Sequence, residues 1–155
     1  LGTGESKASI ESGWDGHSIR ISYNKYPTLP GVILSLLRSA GETLDQTSES
    51  GAAEAVFPAL DIIRRAGPPE EHRSELREHI EGYLGSRLWH VREIAARTLC
   101  SFLLQEEWAK EIGKLLAESS TCTNRFHGAL LTARFVIERK VDLGVALKSG
   151  RSMIS

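Results

Sequence analysis

Apolar residues recur along most of this chain at intervals of three and four, the spacing of one face of an α-helix. Val32, Ile33, Leu36 and Leu37 open the series, with Pro30 near its start. A polar stretch, GETLDQTSES at 41–50, reads as a loop. Val56, Phe57, Leu60 and Ile63 mark a second helix that stops at Gly67-Pro68-Pro69. Pro58 sits either in the first turn of that helix, where its missing N–H costs little, or at a kink. A third helix is predicted over residues 70–84, with Leu76, Ile80, Tyr83 and Leu84 on one stripe and Gly85 as its stop. The fourth, over 88–104, turns Val91, Ile94, Ala95, Thr98, Phe102 and Leu103 inward. Trp108, Ile112, Leu115 and Leu116 define the fifth. Phe126, Leu130, Ala133 and Ile137 define the sixth, with Asn124 as its N-cap.

No run alternates with period two, so the class is all-α. Leu76 and Ile112 open similar helices 36 residues apart, and a second helix follows each. The pair around 32–65 is a looser third copy. Such repeated hairpins predict a HEAT/armadillo-like α-solenoid fragment of about three helical hairpins, with a compact six-helix bundle as the alternative. Residues 28–140 hold the repeats. Residues 1–27, rich in Gly and Ser, read as a mobile leader, and residues 141–155 as a frayed or atypical tail. The start at Leu1 rather than Met leads us to expect a piece of a longer protein.

Composition adds little to that picture. The chain has 155 residues, 41% of them apolar and 25% charged, with a formal net charge of -1. That balance excludes a surface built throughout to hold nucleic acid. The charge is uneven, however. From Thr121 onward six Lys or Arg face only Glu138 and Asp142, whereas residues 1–50 carry four basic and six acidic groups. Arg125, Arg134, Arg139 and Lys140 are therefore the candidate RNA phosphate contacts. Cys100 and Cys122 lack metal-ligand spacing, so a reducing, cytoplasmic setting is expected. Arg134 interrupts the best apolar run, GALLTARFVI, and neither a signal peptide nor a membrane span is expected.

Catalytic signatures are missing. GTGES lacks the lysine of a phosphate loop, and neither G-x-S-x-G nor H-E-x-x-H occurs. His72 and His79 are separated by about 10.5 Å of helical rise, too far to share one ion. No cofactor, metal site or enzyme activity is expected. In SRLWHVREIAARTL, Val91 and Ala95 face inward, and Arg92 lies near a helix N-terminus, where a cation needs compensation. We expect Arg92 to be a stacking arginine with an acceptor on a neighbouring turn or repeat; a ligand-binding role is the alternative. Trp89 reads as a wedge between repeats rather than an RNA-stacking platform, and Trp108 and Phe126 are expected to pack between repeats.

The same stretch matches the generic HEAT pattern DxxxxVRxxAAxxL, with Ser86 or Arg87 where the Asp would stand. Together with VFPALDII and NRFHGALL, whose His127-Gly128 pair opens the final helix, it resembles the THADA family. The likeness covers roughly residues 26–139. In that family, fungal members are HEAT-repeat partners of a tRNA 2'-O-methyltransferase. The resemblance implies a non-catalytic scaffold that binds tRNA and a methyltransferase subunit, so that an anticodon-loop ribose is methylated. The residues after Lys140 depart from the family pattern. A HEAT-repeat adaptor with no RNA role is the second reading.

Overall fold

The computed structural model describes residues 23–46, 49–104 and 107–154. After a single helical turn at 23–25, six helices follow: α1 (Leu29–Gln46), α2 (Glu49–Ala66), α3 (Arg73–Tyr83), α4 (Trp89–Leu103), α5 (Trp108–Ser119) and α6 (Thr123–Ile154). No strand occurs among the described residues. The helices pair as three hairpins, α1/α2, α3/α4 and α5/α6. The second helices stack on one another, α2 on α4 and α4 on α6, to form one layer. The first helices form the other: α1 meets α3, and Arg77 of α3 bridges to Glu111 of α5 at 2.7 Å. This arrangement is an α-solenoid rather than a closed bundle.

Burial explains the stacking. Leu37, Leu60, Ile63, Leu76, Ile80, Leu84, Val91, Leu99 and Val136 are fully enclosed and make a core that runs across all three hairpins. Two buried side-chain hydroxyls tie successive repeats together. Tyr83 Oη donates to the carbonyl of Leu37, and Thr98 Oγ1 lies 3.1 Å from the carbonyl of Leu60. Gly67, at φ 83°, takes the left-handed position that closes α2, and Pro68-Pro69 prevents its continuation. Tyr23 Oη donates to the Gly67 carbonyl at 3.2 Å, and burial pushes that phenol up to about 12.

Several boundaries differ from the sequence expectation. The loop placed at 41–50 is mostly helix, because α1 runs to Gln46 and α2 starts at Glu49. Polar residues carry no apolar rhythm, but they do not by themselves stop a helix. Pro58 therefore lies inside α2 rather than in its first turn, and its ring is exposed. α6 begins at Thr123, so Asn124 belongs to its first turn instead of capping it. The same helix runs on to Ile154 through the residues read as a frayed tail. Residues 1–22 of the expected leader lie outside the described residues.

The largest correction concerns which face of α6 is inside. Phe126, Leu130 and Ile137, expected to be buried, are 37%, 46% and 49% exposed. Of the expected set only Ala133 is enclosed, and Gly128, Ala129, Thr132, Phe135 and Val136 are enclosed with it. α6 is apolar on both sides, so periodicity does not select one. Small side chains decide, since they let the backbone of α6 approach its neighbours closely. Phe126 accordingly does not wedge between repeats, whereas Trp108 does pack, half-buried, against the core. Among the described residues no helix is long and apolar enough to cross a membrane.

Candidate nucleic-acid interface

The His127-Gly128 pair shows how α6 is seated. A Cβ built on Gly128 would lie 2.4 Å from the carbonyl oxygen of Leu84 and 2.8 Å from its Cβ, so only glycine fits. Beside it, Arg92 Nε donates to His127 Nδ1 at 3.2 Å. Its Nη1 donates to the carbonyls of Ser86, at 2.6 Å, and Arg87, at 3.3 Å. The guanidinium thus joins the start of α4, the loop after α3 and the first turn of α6. Those carbonyl oxygens are the compensation that a cation near a helix N-terminus requires. We expect Arg92→Ala to lower stability by about 1–3 kcal/mol, through carbonyls left without a donor. Chemical denaturation measures it. A lysine at 92 should not restore the loss, because its compact ammonium cannot reproduce the planar three-way bridge.

Val91 and Ala95 are fully buried, but Trp89 is not a wedge: it is 54% exposed. Glu93 and Arg97, four and eight residues on, line a groove together with Phe57, Asp61 and Arg64 of α2.

The four expected phosphate contacts are not brought together. Arg125 Nε donates to Ser119 Oγ at 3.3 Å and is half-buried. Lys140 Nζ donates to the carbonyl of Leu104 at 3.3 Å, closing the C-terminal end of α4. Arg139 is half-buried near the Cys100 thiol, which burial pushes up to about 11. Arg134 alone of the four stands well out in solvent, its side chain 67% exposed.

Arg134 belongs to a set that sequence reasoning missed. Each stacked helix carries an arginine held by a carboxylate about one turn away: Arg64 by Asp61 at 2.7 Å (Arg65 meets the same carboxylate at 3.0 Å), Arg97 by Glu93 at 3.1 Å and Arg134 by Glu138 at 2.9 Å. Arg97 follows Arg64 by 33 residues and Arg134 follows Arg97 by 37, so the repeat itself places them. Arg97 also lies over the ring of Phe135, 4.2 Å from its centroid, which orients it toward α6. The signal was an arginine with an acidic residue three or four positions away, recurring at repeat length.

The two layers differ in charge. Over 55–66, 89–103 and 123–144, the stacked second helices carry eight Arg or Lys against four Asp or Glu. Over 29–42, 73–83 and 108–119, the first helices carry five against six. Glu78, Glu81, Glu111 and Glu118 line one cleft of that second surface, where Arg77 holds the Glu111 carboxyl below the usual range. Among the described residues no group of His, Cys, Asp or Glu is placed to hold a metal ion.

A helical-repeat scaffold with one cationic layer is the class of protein that this fold and surface define. Residues 1–136 match the family described as Trm732, C-terminal TPR repeats, and the chain belongs to that family. The description names the repeat as tetratricopeptide type, again a two-helix unit, where sequence reasoning read HEAT. No curated protein and no solved structure matches the chain.

Proposed function

We propose that this chain is part of a THADA-type scaffold that supports 2'-O-methylation of an anticodon-loop ribose without catalysing it. It works in the cytoplasm by holding tRNA and a methyltransferase subunit. Membership of the Trm732 family carries this reading. The cationic layer of α2, α4 and α6 supports it, because a shaped RNA is held chiefly through its phosphates. Arg134 is the first phosphate contact. Arg125, Arg139 and Lys140 also brace the fold, so their contribution to binding comes with a structural one.

Arg134→Glu should keep the fold, weaken binding to all tRNAs alike and reduce the salt slope by about one. Filter binding of total tRNA at two salt concentrations measures this. Deleting the whole protein should abolish the ribose methylation in cells. If methylation survives deletion, the adaptor reading replaces this one. The exposed stripe of Phe126, Leu130 and Ile137 on α6 is the feature that favours that alternative, since bare apolar surface suits a protein partner.

A further inference from the structure

α6 ends the layer of stacked helices, and its two sides differ. Phe135, on which the Arg97 guanidinium rests, lies on the side that meets α4. About 150° around the helix from it, Phe126, Leu130, Ile137 and Val141 fall within an arc of about 60° and make a stripe about 22 Å long. All four are exposed. The repeat identifies this stripe. Arg134 follows Arg97 by 37 residues, and the same step carries Cys100 to Ile137 and Leu104 to Val141. On α4 those two positions lie under α6: Cys100 is close to Arg139, and the Leu104 carbonyl accepts from Lys140 Nζ. Cys100 is 7% exposed and Leu104 packs against the core, whereas Ile137 and Val141 are 49% and 58% exposed. The stripe is thus the stacking face of α6, and no helix is stacked on it among the described residues.

We propose that the methyltransferase subunit docks here, laying an amphipathic α-helix along α6 in the place of a fourth hairpin. The inference rests on the reading above, which gives the scaffold two things to hold, and it names the surface that takes the protein. Apolar side chains at helical spacing offer nothing to a phosphate, but they mesh with the apolar side of a second helix. The chain's own next hairpin is not delivered to this face. After α2 and α4 the chain starts a new helix within seven residues, at Arg73 and Trp108, and so sets each hairpin on the one before. α6 instead stays helical to Ile154, 13 residues past Val141. A second copy fits less well. Antiparallel pairing that sets Phe126 against Val141 and Leu130 against Ile137 brings the two Arg134 side chains together at the twofold axis, where like charges repel. Position singles out the subunit among protein partners. Arg134 and Glu138 border the stripe, so a subunit seated here stands beside the first phosphate contact and next to the RNA it must methylate.

The test uses the full-length scaffold, the purified methyltransferase subunit and the double variant Leu130→Glu with Ile137→Glu. Both side chains are exposed in the free protein, so the melting temperature of the scaffold should not change. Calorimetric titration should show the subunit binding about thirtyfold more weakly or worse, the scale of losing one hot-spot side chain from an interface. Binding of tRNA to the scaffold alone should match wild type, which separates a docking defect from an RNA one. Leu130→Met with Ile137→Leu keeps the stripe apolar and should restore binding of the subunit. Equal binding of the subunit by wild type and the glutamate variant overturns the proposal. A lowered melting temperature of the glutamate variant also overturns it, because the stripe is then covered by another part of the same polypeptide. So does a scaffold dimer, seen by sedimentation, that the glutamates dissociate. If wild type binds tRNA but not the subunit, the docking proposal fails while the RNA-holding part of the reading survives. If it binds neither, both fail.

Discussion

Gly128→Ala is expected to destabilise the protein by about 3 kcal/mol, the upper part of the usual range for overpacking. A methyl group there meets the Leu84 carbonyl oxygen at 2.4 Å, and that oxygen belongs to backbone held at the end of α3. Neither side can yield by rotating a side chain. α6 must move away, which also draws His127 from Arg92 and lengthens a 3.2 Å bond. Gly113→Ala is the matched control. Nothing lies within 4 Å of the added methyl on α5, and replacing a helical glycine there should stabilise by up to about 1 kcal/mol. Urea denaturation of both variants separates the two effects. If Gly128→Ala proves as stable as Gly113→Ala, α6 is not seated on Leu84.

Leu99→Ala should cost about 4 kcal/mol, within the range measured for emptying a leucine site in a packed core. Leu99 is completely enclosed on α4, the helix that packs against both α2 and α6, so no single neighbour can collapse into the space. For a domain of this size the loss corresponds to a fall in melting temperature of roughly 8–16 °C. Leu130→Ala, on the exposed side of α6, should stay within about 1 kcal/mol of wild type. A thermal melt with the two effects reversed would restore the face that periodicity first suggested.

The helices themselves were readable because a half-buried helix needs apolar residues every three or four positions. Leu76, Ile80, Tyr83 and Leu84 are all enclosed, as are Val91, Ile94, Ala95 and Thr98. The need for something to meet Arg92 was readable too, from its place near a helix N-terminus. What met it was not, since His127 lies 35 residues away and the other acceptors are backbone carbonyls. The NRFHGALL segment could be matched to a family by its letters. Its physical reason, close approach at Gly128 with His127 beside it, needed the position of Leu84.

The candidate interface was the least legible part. Local abundance of basic residues points to the C-terminal third, and so to Arg125, Arg134, Arg139 and Lys140. Two of the four, Arg125 and Lys140, turn out to bind Ser119 and Leu104. Arg64 and Arg97 lie outside the basic segment, 33 residues apart, where local abundance of charge carries no signal. Trp89 was misjudged because a large apolar residue at a helix start carries no sign of which side it faces.

By itself, then, the order of residues determined the helical class, the hairpin repeat and the inward faces of α3 and α4, because these depend on local periodicity. Tertiary structure alone decided which side of α6 is buried, since small residues at 128, 129, 132 and 133 act only when another backbone lies against them. It also decided that Arg97 lies over the ring of Phe135 on the next stacked helix, because that contact is set by how the repeats stack and not by distance along the chain.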